Sequence, residues 1–467
     1  MVAALAAVVF LAACTPLLET ELPTEPVQLP GASAEANAQH AAIVESYGGV
    51  YRDAEVERVL SQIASRLVAA SDDPSRTYAI TILNAATVNA FALPEGYLYV
   101  TRGLLTLAND AAEVAAVFAH EMAHVTADHA GQRRDQALTA AIVNDAVEDV
   151  VGTSDAAVVT AQRTLASFSR QQELEADAIG IGTIARAGYD PYAAARFLGA
   201  MSRYEDYRQS LGVRQDQRPA FLASHPSNQD RISAAVAAAE AFGPVGTGVT
   251  DRNRYLTAIE GVIYGDDIEQ GFVRGRSFVH AELAIGFTVT DGFVLDNTQE
   301  AVLATGPDGT ALRFDAVAVA ADQSLTDYLL SGWVNGLDAS TVRATTVNGL
   351  TAASASAAAG GWAFRITVVR VGTATYRFIF ANDNNTQAFS DSAEAIAGTF
   401  RQLSAAEVAA LRPLRIDVVR VGAGDSAGSL AGRMGGVENP ALLFAVLNGL
   451  EPGTNPAPGS SVKLVVE

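Results

Sequence analysis

His120-Glu121-Met122-Ala123-His124 constrains this chain more than any other feature in it. Two histidines four residues apart on a helix leave from the same face, so both imidazoles can reach one point. The run before them, Ala111 to Phe118, is rich in Ala and Val, with Val114, Val117 and Phe118 at helical spacing. It predicts a buried helix. Two imidazoles and a carboxylate inside such a helix are costly unless something satisfies them. A zinc ion would do so, with His120 and His124 as ligands and Glu121 as general base toward water at the metal. The competing reading is a pair of capped core histidines beside a surface glutamate.

A catalytic zinc takes three protein ligands and keeps one position open. His129 is nearest in sequence. At about 100° per residue it lies roughly 180° around the helix from His120, so a ligand there needs the chain to turn after His124. The extended zincin pattern places a glycine and a third histidine where this chain has Ala127 and Ala130. His129 therefore reads as a helix-end residue or as support for a ligand. The better candidate lies in Ser169-Arg170-Gln171-Gln172-Glu173-Leu174-Glu175-Ala176-Asp177. Glu173 and Asp177 share a helical face, and Glu175 points about 200° away from Glu173. One carboxylate can bind metal while another orients a ligand histidine from behind. Alone, this is an ordinary charged helix face.

His120-Glu121-x-x-His124 followed by Ser169-Arg170-x-x-Glu173-x-x-Ala176-Asp177 resembles the M48 zinc metallopeptidases, the CAAX prenyl protease and HtpX-like group. Val88 to Val100, Ala187-Gly188-Tyr189-Asp190-Pro191 and Ser224-His225-Pro226 with Arg231 extend the likeness over roughly residues 36 to 240. The resemblance implies His120, His124 and Glu173 as zinc ligands, Glu121 as catalytic base and Asp177 behind a ligand. It places His225 near the metal, where it would stabilise the oxyanion or occupy the open position. Glu95 stands where the family often has glycine.

Apolar and aromatic residues around Pro94-Glu95-Gly96 predict two strands and a hairpin. Asn89, Ala90 and Phe91 are the candidate substrate edge, because an extended peptide can add to a strand through main-chain hydrogen bonds. A plain core hairpin fits the same residues. Arg231 would pair with a carboxylate or with substrate.

The opening run, Met1 to Phe10, is apolar and too short to span a membrane, which fits a signal h-region. Leu11-Ala12-Ala13-Cys14 resembles a bacterial lipobox, implying cleavage before Cys14 and lipid on its thiol. No Lys or Arg precedes the apolar run, a departure from the signal pattern. Cys14 is the only cysteine, so no intramolecular disulfide can form. Thr15, in place of Asp after the cysteine, favours the outer membrane by resemblance to lipoprotein sorting. The expected location is the periplasm, lipid-anchored. Pro16 to about Ala36, rich in Pro, Glu and Ala, reads as a tether. Gln136 to Val151 is amphipathic and reads as a flap or a plain helix. A net charge of −21 would repel nucleic acid.

Gly243-Pro244-Val245-Gly246-Thr247-Gly248 reads as a linker. Beyond it, Ile285 to Thr290, Ala301 to Thr305, Leu312 to Val319, Trp362 to Val371 and Thr375 to Phe380 predict strands. Leu325 to Val334 and Ser392 to Phe400 predict helices, and Thr351 to Gly361 a loop. His280 stands alone and reads as structural. From Leu414 the pattern is strand, helix, helix, strand. With Gly424-Asp425-Ser426, Asn448-Gly449-Leu450 and Gly459 it resembles a LysM module, which implies binding to peptidoglycan-type glycans; a βααβ unit without glycan affinity fits equally.

The expected fold is multidomain α+β. A signal (1–14) and tether (15–35) precede a mostly helical zincin-type peptidase domain with a small sheet (36–242). An antiparallel α+β domain (250–405) and a small βααβ module (412–467) follow. The expected function is a zinc endopeptidase acting on protein or peptide substrates of the cell envelope, with one Zn2+ per chain. The alternatives are a wall-associated binding or chaperone-like lipoprotein with latent activity, and a hydrolase of cell-wall peptides.

Overall fold

The computed structural model describes residues 29–133, 155–213, 221, 225, 229–298 and 301–467, without side-chain detail for 155–169. Cys14, the signal segment and the expected helix Gln136–Val151 lie outside the described residues, as do Ser224 and Pro226.

Capped apolar repeats build the first half. Helix α1 (Ala34–Ser46) starts at Ser33, whose side chain accepts from Ala36 N. Helix α2 (Ala54–Ala70) starts at Asp53 and buries Val56, Val59, Leu60, Ile63 and Leu67, a single stripe at helical spacing. Strands β1 (Ala79–Leu83), β2 (Ala90–Ala92) and β3 (Tyr97–Thr101) form a sheet of order β1-β3-β2, with β2 antiparallel to β3. Helix α3 (Arg102–Leu107) leads directly into α4 (Ala111–Thr126), capped by Asp110 and buried from Ala111 to Met122 and Ala123. Helices α5 (Asp155–Arg186), α6 (Ala193–Ser210), α7 (Gln229–Glu240) and α8 (Arg252–Ala258) complete this half. Gly180 lets α5 cross α4 closely: a Cβ there would lie 3.1 Å from the His120 backbone nitrogen.

The tether was expected to run to about residue 35, but its end belongs to the folded body. Leu29 is buried against Tyr97 and Tyr99, and its N–H donates to Tyr97 Oη at 2.9 Å. The expected linker at 243–248 is instead a tight turn docked on the helices. Val249 bridges Tyr189, and a Cβ on Gly248 (φ +80°) would fall 2.4 Å from the Tyr189 carbonyl oxygen.

Strand β4 (Ile263–Tyr264) precedes a sheet unit. Strands β5 (Phe272–Arg274), β6 (Ser277–His280) and β7 (Ile285–Thr288) join a later strand in a four-stranded sheet. Strands β8 (Val294–Asn297), β9 (Val302–Thr305), β10 (Ala311–Val317), β11 (Leu337–Val347), β12 (Leu350–Ala359), β13 (Trp362–Val371) and β14 (Ala374–Asn382) form a seven-stranded antiparallel sheet of order β11-β12-β13-β14-β10-β9-β8. Helices α9 (Leu325–Leu329) and α10 (Gln387–Gly398) pack on it. The first is shorter than the expected Leu325–Val334, and the second starts before Ser392 and ends at Gly398.

The expected loop Thr351–Gly361 is strand β12, paired on both sides. Alanine and serine are poor strand formers, but here neighbouring strands decide. Ala353, Ala355 and Ala357 lie beneath Leu325, Tyr328 and Leu329, so small side chains let α9 approach. His280, on β6, accepts from the nearby Leu283 N–H at 3.4 Å.

The chain then returns. Strand β15 (Arg401–Gln402) closes the four-stranded sheet, and β16 (Leu414–Arg420) pairs with both β4 and β17 (Ser461–Val466). Between β16 and β17 lie two helices, Ala427–Ala431 and Pro440–Leu447. Leu414, Ile416, Leu443, Phe444, Val462 and Leu464 share one hydrophobic core with Val59, Leu104, Val114 and Phe118. The last strands are thus packed into the helical half.

Candidate active site

Helix α4 carries His120, Glu121 and His124, and α5 carries Glu173 and Asp177; their crossing brings all five side chains together. His225 reaches the same point from beyond α6. One ligand atom each from His120, His124, Glu173 and His225 lies within 4.8 Å of the others, and all four residues are buried. His120 Nε2 is 3.0 Å from His124 Nε2 and 3.2 Å from His225 Nδ1. The Glu173 carboxylate is 3.3 Å from His124 Nε2, 3.4 Å from His120 Nε2 and 3.0 Å from His225 Nδ1.

These spacings suit a metal. Zinc bonds of about 2.0–2.1 Å at tetrahedral angles set neighbouring donors about 3.3 Å apart. Three imidazole nitrogens and a carboxylate make a lone-pair-rich cluster with too few protons to satisfy itself, whereas a divalent cation would satisfy every member at once.

The supports are also in place. Asp177 Oδ1 stands 2.9 Å from His120 Nδ1. Arg231 holds the same carboxylate with two bonds, at 2.6 and 2.9 Å, and reaches Glu173 at 3.0 Å. Burial opposes the charge on Asp177, but Arg231 and His120 outweigh it and hold the carboxyl at about 2. Burial likewise opposes the charge on Glu173, and the surrounding histidines hold that carboxyl far below its ordinary range. Both are carboxylates at neutral pH, the form a metal site needs.

Glu121 is 3% exposed, and its Oε1 has no hydrogen-bond partner among the described residues. That oxygen lies 3.6 Å from His225 Nε2. It lines a cleft of about 560 Å³ with His124 and His225 on one side and Asn89, Phe91 and Ala92 on the other. Strand β2 lies at one edge of its sheet. Asn89 O and Leu93 N bond inward to β3, so in an antiparallel pair the main-chain groups of Ala90 and Ala92 face away from it. Asn89 Nδ2 donates to Tyr47 Oη at 2.9 Å, while its Oδ1 is buried without a described partner. Glu95 sits exposed in the hairpin turn, away from this lining.

Three contributors escaped the sequence reading. Ile43 of α1 and Tyr47, which caps its end, form a wall of the cleft, hidden because their segment follows an apparent tether. Gln172, buried beside Glu173, donates to the His129 carbonyl at 3.2 Å; a glutamine adjoining a ligand carboxylate was the available signal.

Residues 51–239 match the family model described as Peptidase family M48. Over 155 residues the chain is 34% identical to the mitochondrial metalloendopeptidase OMA1 of Arabidopsis thaliana, covering 33% of this chain and 30% of that protein. Over 197 residues it is 28% identical to the beta-barrel assembly-enhancing protease of Yersinia pestis, covering 39% and 38%. With OMA1 of Schizosaccharomyces pombe the identity is 31% over 178 residues, covering 37% and 50%. The chain spans half or less of the length of these relatives. Among solved structures, PsbP of Synechocystis aligns with 30% of this chain and 98% of its own at 11% identity, with a TM-score of 0.24, too low to define a shared fold. The described residues contain no helix long and apolar enough to cross a membrane. Residues 51–239, which carry the whole donor cluster, are thus the part of this chain that matches Peptidase family M48.

Proposed function

We propose that this chain is a zinc-dependent endopeptidase that hydrolyses peptide bonds of envelope proteins, in quality control at the outer membrane, to which lipid on Cys14 anchors it from the periplasm. The convergence of His120, His124 and Glu173 beside an unpartnered Glu121, at the mouth of a cleft edged by β2, carries this reading. The relative named for β-barrel assembly supports the envelope assignment.

A Zn2+ held by His120, His124 and Glu173 would polarise the scissile carbonyl and acidify water beside it. Glu121 Oε1 would take a proton from the attacking water and return it to the leaving amine. Asp177 fixes the His120 ring through Nδ1, and Arg231 fixes Asp177. The substrate lies extended along Ala90 and Ala92, and the wall of Ile43, Tyr47 and Phe91 suits an apolar side chain. Ala92→Pro removes one outward N–H, a change an edge strand tolerates. It is expected to raise KM about fivefold at constant kcat, the size of one net hydrogen bond of about 1 kcal/mol. Unchanged steady-state kinetics would remove the edge from the mechanism.

His225 gives a second reading its footing. With His225 Nδ1 the cluster offers four protein donors, enough to fill the coordination of a zinc ion, which would make this a latent enzyme until His225 gave way to water. The test is zinc content and casein cleavage on the chain lacking residues 1–14. One zinc per chain with cleavage that disappears on chelation and returns with zinc supports the active form. Zinc without cleavage, reversed in His225→Ala, supports latency, and no zinc ends both readings. Peptidoglycan binding by the LysM-like strands is tested in the same chain by pelleting with purified sacculi.

A further inference from the structure

A second imidazole stands behind His124. Helix α4 ends at Thr126, with Ala127 as its cap, and Asp128 takes a left-handed conformation (φ 51°) that swings the chain back. The swing carries His129 under the donor cluster, where it is 0% exposed. Its Nδ1 lies 2.8 Å from His124 Nδ1, with the rings 4.9 Å apart and crossed at 74°. Gln172 holds the His129 carbonyl, and Glu175 Oε2 stands 3.5 Å from His129 Nε2. Gln172, Glu173 and Glu175 of one helix therefore address both the donor cluster and the turn behind it.

Only one proton arrangement fits. His124 turns Nε2 toward His120 and Glu173, so when that nitrogen ligates, its proton resides on Nδ1. That N–H needs an acceptor, and the atom in place is His129 Nδ1, which must then carry a lone pair. The His129 proton is left on Nε2, facing Glu175. We infer that His129 is a positioning residue for the metal centre: its Nδ1 accepts from His124 and fixes the tautomer and plane of that ligand, as Asp177 does for His120. The inference rests on the metallopeptidase reading above and adds an asymmetry to it. One ligand histidine is backed by a carboxylate tied to an arginine, the other by a neutral imidazole.

The test is zinc affinity, measured by competition with a chromophoric chelator on the chain lacking residues 1–14, together with the absorption spectrum of the Co2+ form. His129→Leu should weaken zinc binding about 10–100-fold, the usual effect of losing a hydrogen-bond partner of a ligand, and shift the Co2+ bands. His129→Asn, which keeps an acceptor near the Nδ1 position, should restore most of the affinity. The metal-free melting temperatures of the Asn and wild-type chains should agree. Wild-type affinity and spectrum in His129→Leu would overturn the assignment. Should the Leu chain fail to fold, ¹⁵N shifts of the zinc-loaded wild type decide: a bare Nδ1 with protonated Nε2 on His129 supports it, and the opposite tautomer overturns it. A wild type that binds no zinc would bring down the metallopeptidase reading and this role together.

Discussion

Glu121→Gln is expected to retain one zinc per chain and to lose casein cleavage by about 10³–10⁴-fold, the upper range for removal of a general base. The replacement is nearly the same size, so the packing of α4 should survive. What changes is the ability of Oε1 to accept a proton. That atom has no hydrogen-bond partner among the described residues, whereas Glu173 is engaged by three histidines and Arg231, and Asp177 by Arg231 and His120. A carboxylate so surrounded has no free lone pair aimed at an attacking water; Glu121 Oε1 has one. Loss of zinc in the variant would mean that Glu121 is a ligand rather than a base. Full cleavage with zinc bound would sink the mechanism.

The site was legible because its chemistry is local. His120 and His124 share a helical turn, and Glu173 and Asp177 share another, so spacing alone places each pair on one face. What spacing cannot supply is the angle between the two helices, and that angle depends on Gly180 meeting the His120 backbone. His129 shows the same division. Its 180° offset from His120 argues against a ligand on a continuing helix, and it is indeed set behind His124, but only the left-handed Asp128 reveals how it gets there. Longer-range features were hidden for the opposite reason. The strand β12 is made of Ala and Ser, which carry no strand signal of their own and become a strand through β11 and β13 on either side. The turn at 243–248 has linker composition, yet Gly248 serves close backbone approach to Tyr189.

Lys463→Ala is expected to destabilise the helical half by about 3–5 kcal/mol, the cost of leaving buried acceptors unpaired and opening a cavity. In sequence, Lys463 is one charge in the apolar strand Val462-Lys463-Leu464-Val465-Val466. In the fold it is 0% exposed, and its Nζ donates to the carbonyls of Thr106, Leu107 and Ala108 at 2.8, 3.1 and 2.7 Å. These are the orphan carbonyls at the end of α3, where a cation is also favoured by the helix dipole. Burial pushes the amine toward its neutral form, but three acceptors call for three N–H donors, and only the ammonium has them. Asn448 locks the strand in register, donating to the Lys463 carbonyl at 2.9 Å and accepting from its N–H at 2.7 Å. The last strand of the chain thereby holds the segment that leads into Asp110, the cap of the helix bearing His120 and His124. Lys463→Met separates the two costs: it fills the cavity but leaves the carbonyls bare, so it should recover part of the loss and not all of it. Urea unfolding of both variants, followed by the fluorescence of the full chain and by the zinc-dependent shift in midpoint, reads the effect. A midpoint unchanged in Lys463→Ala would mean that the β16–β17 unit rides on the peptidase domain without supporting it. The expected loss would instead make that unit part of the scaffold under the donor cluster.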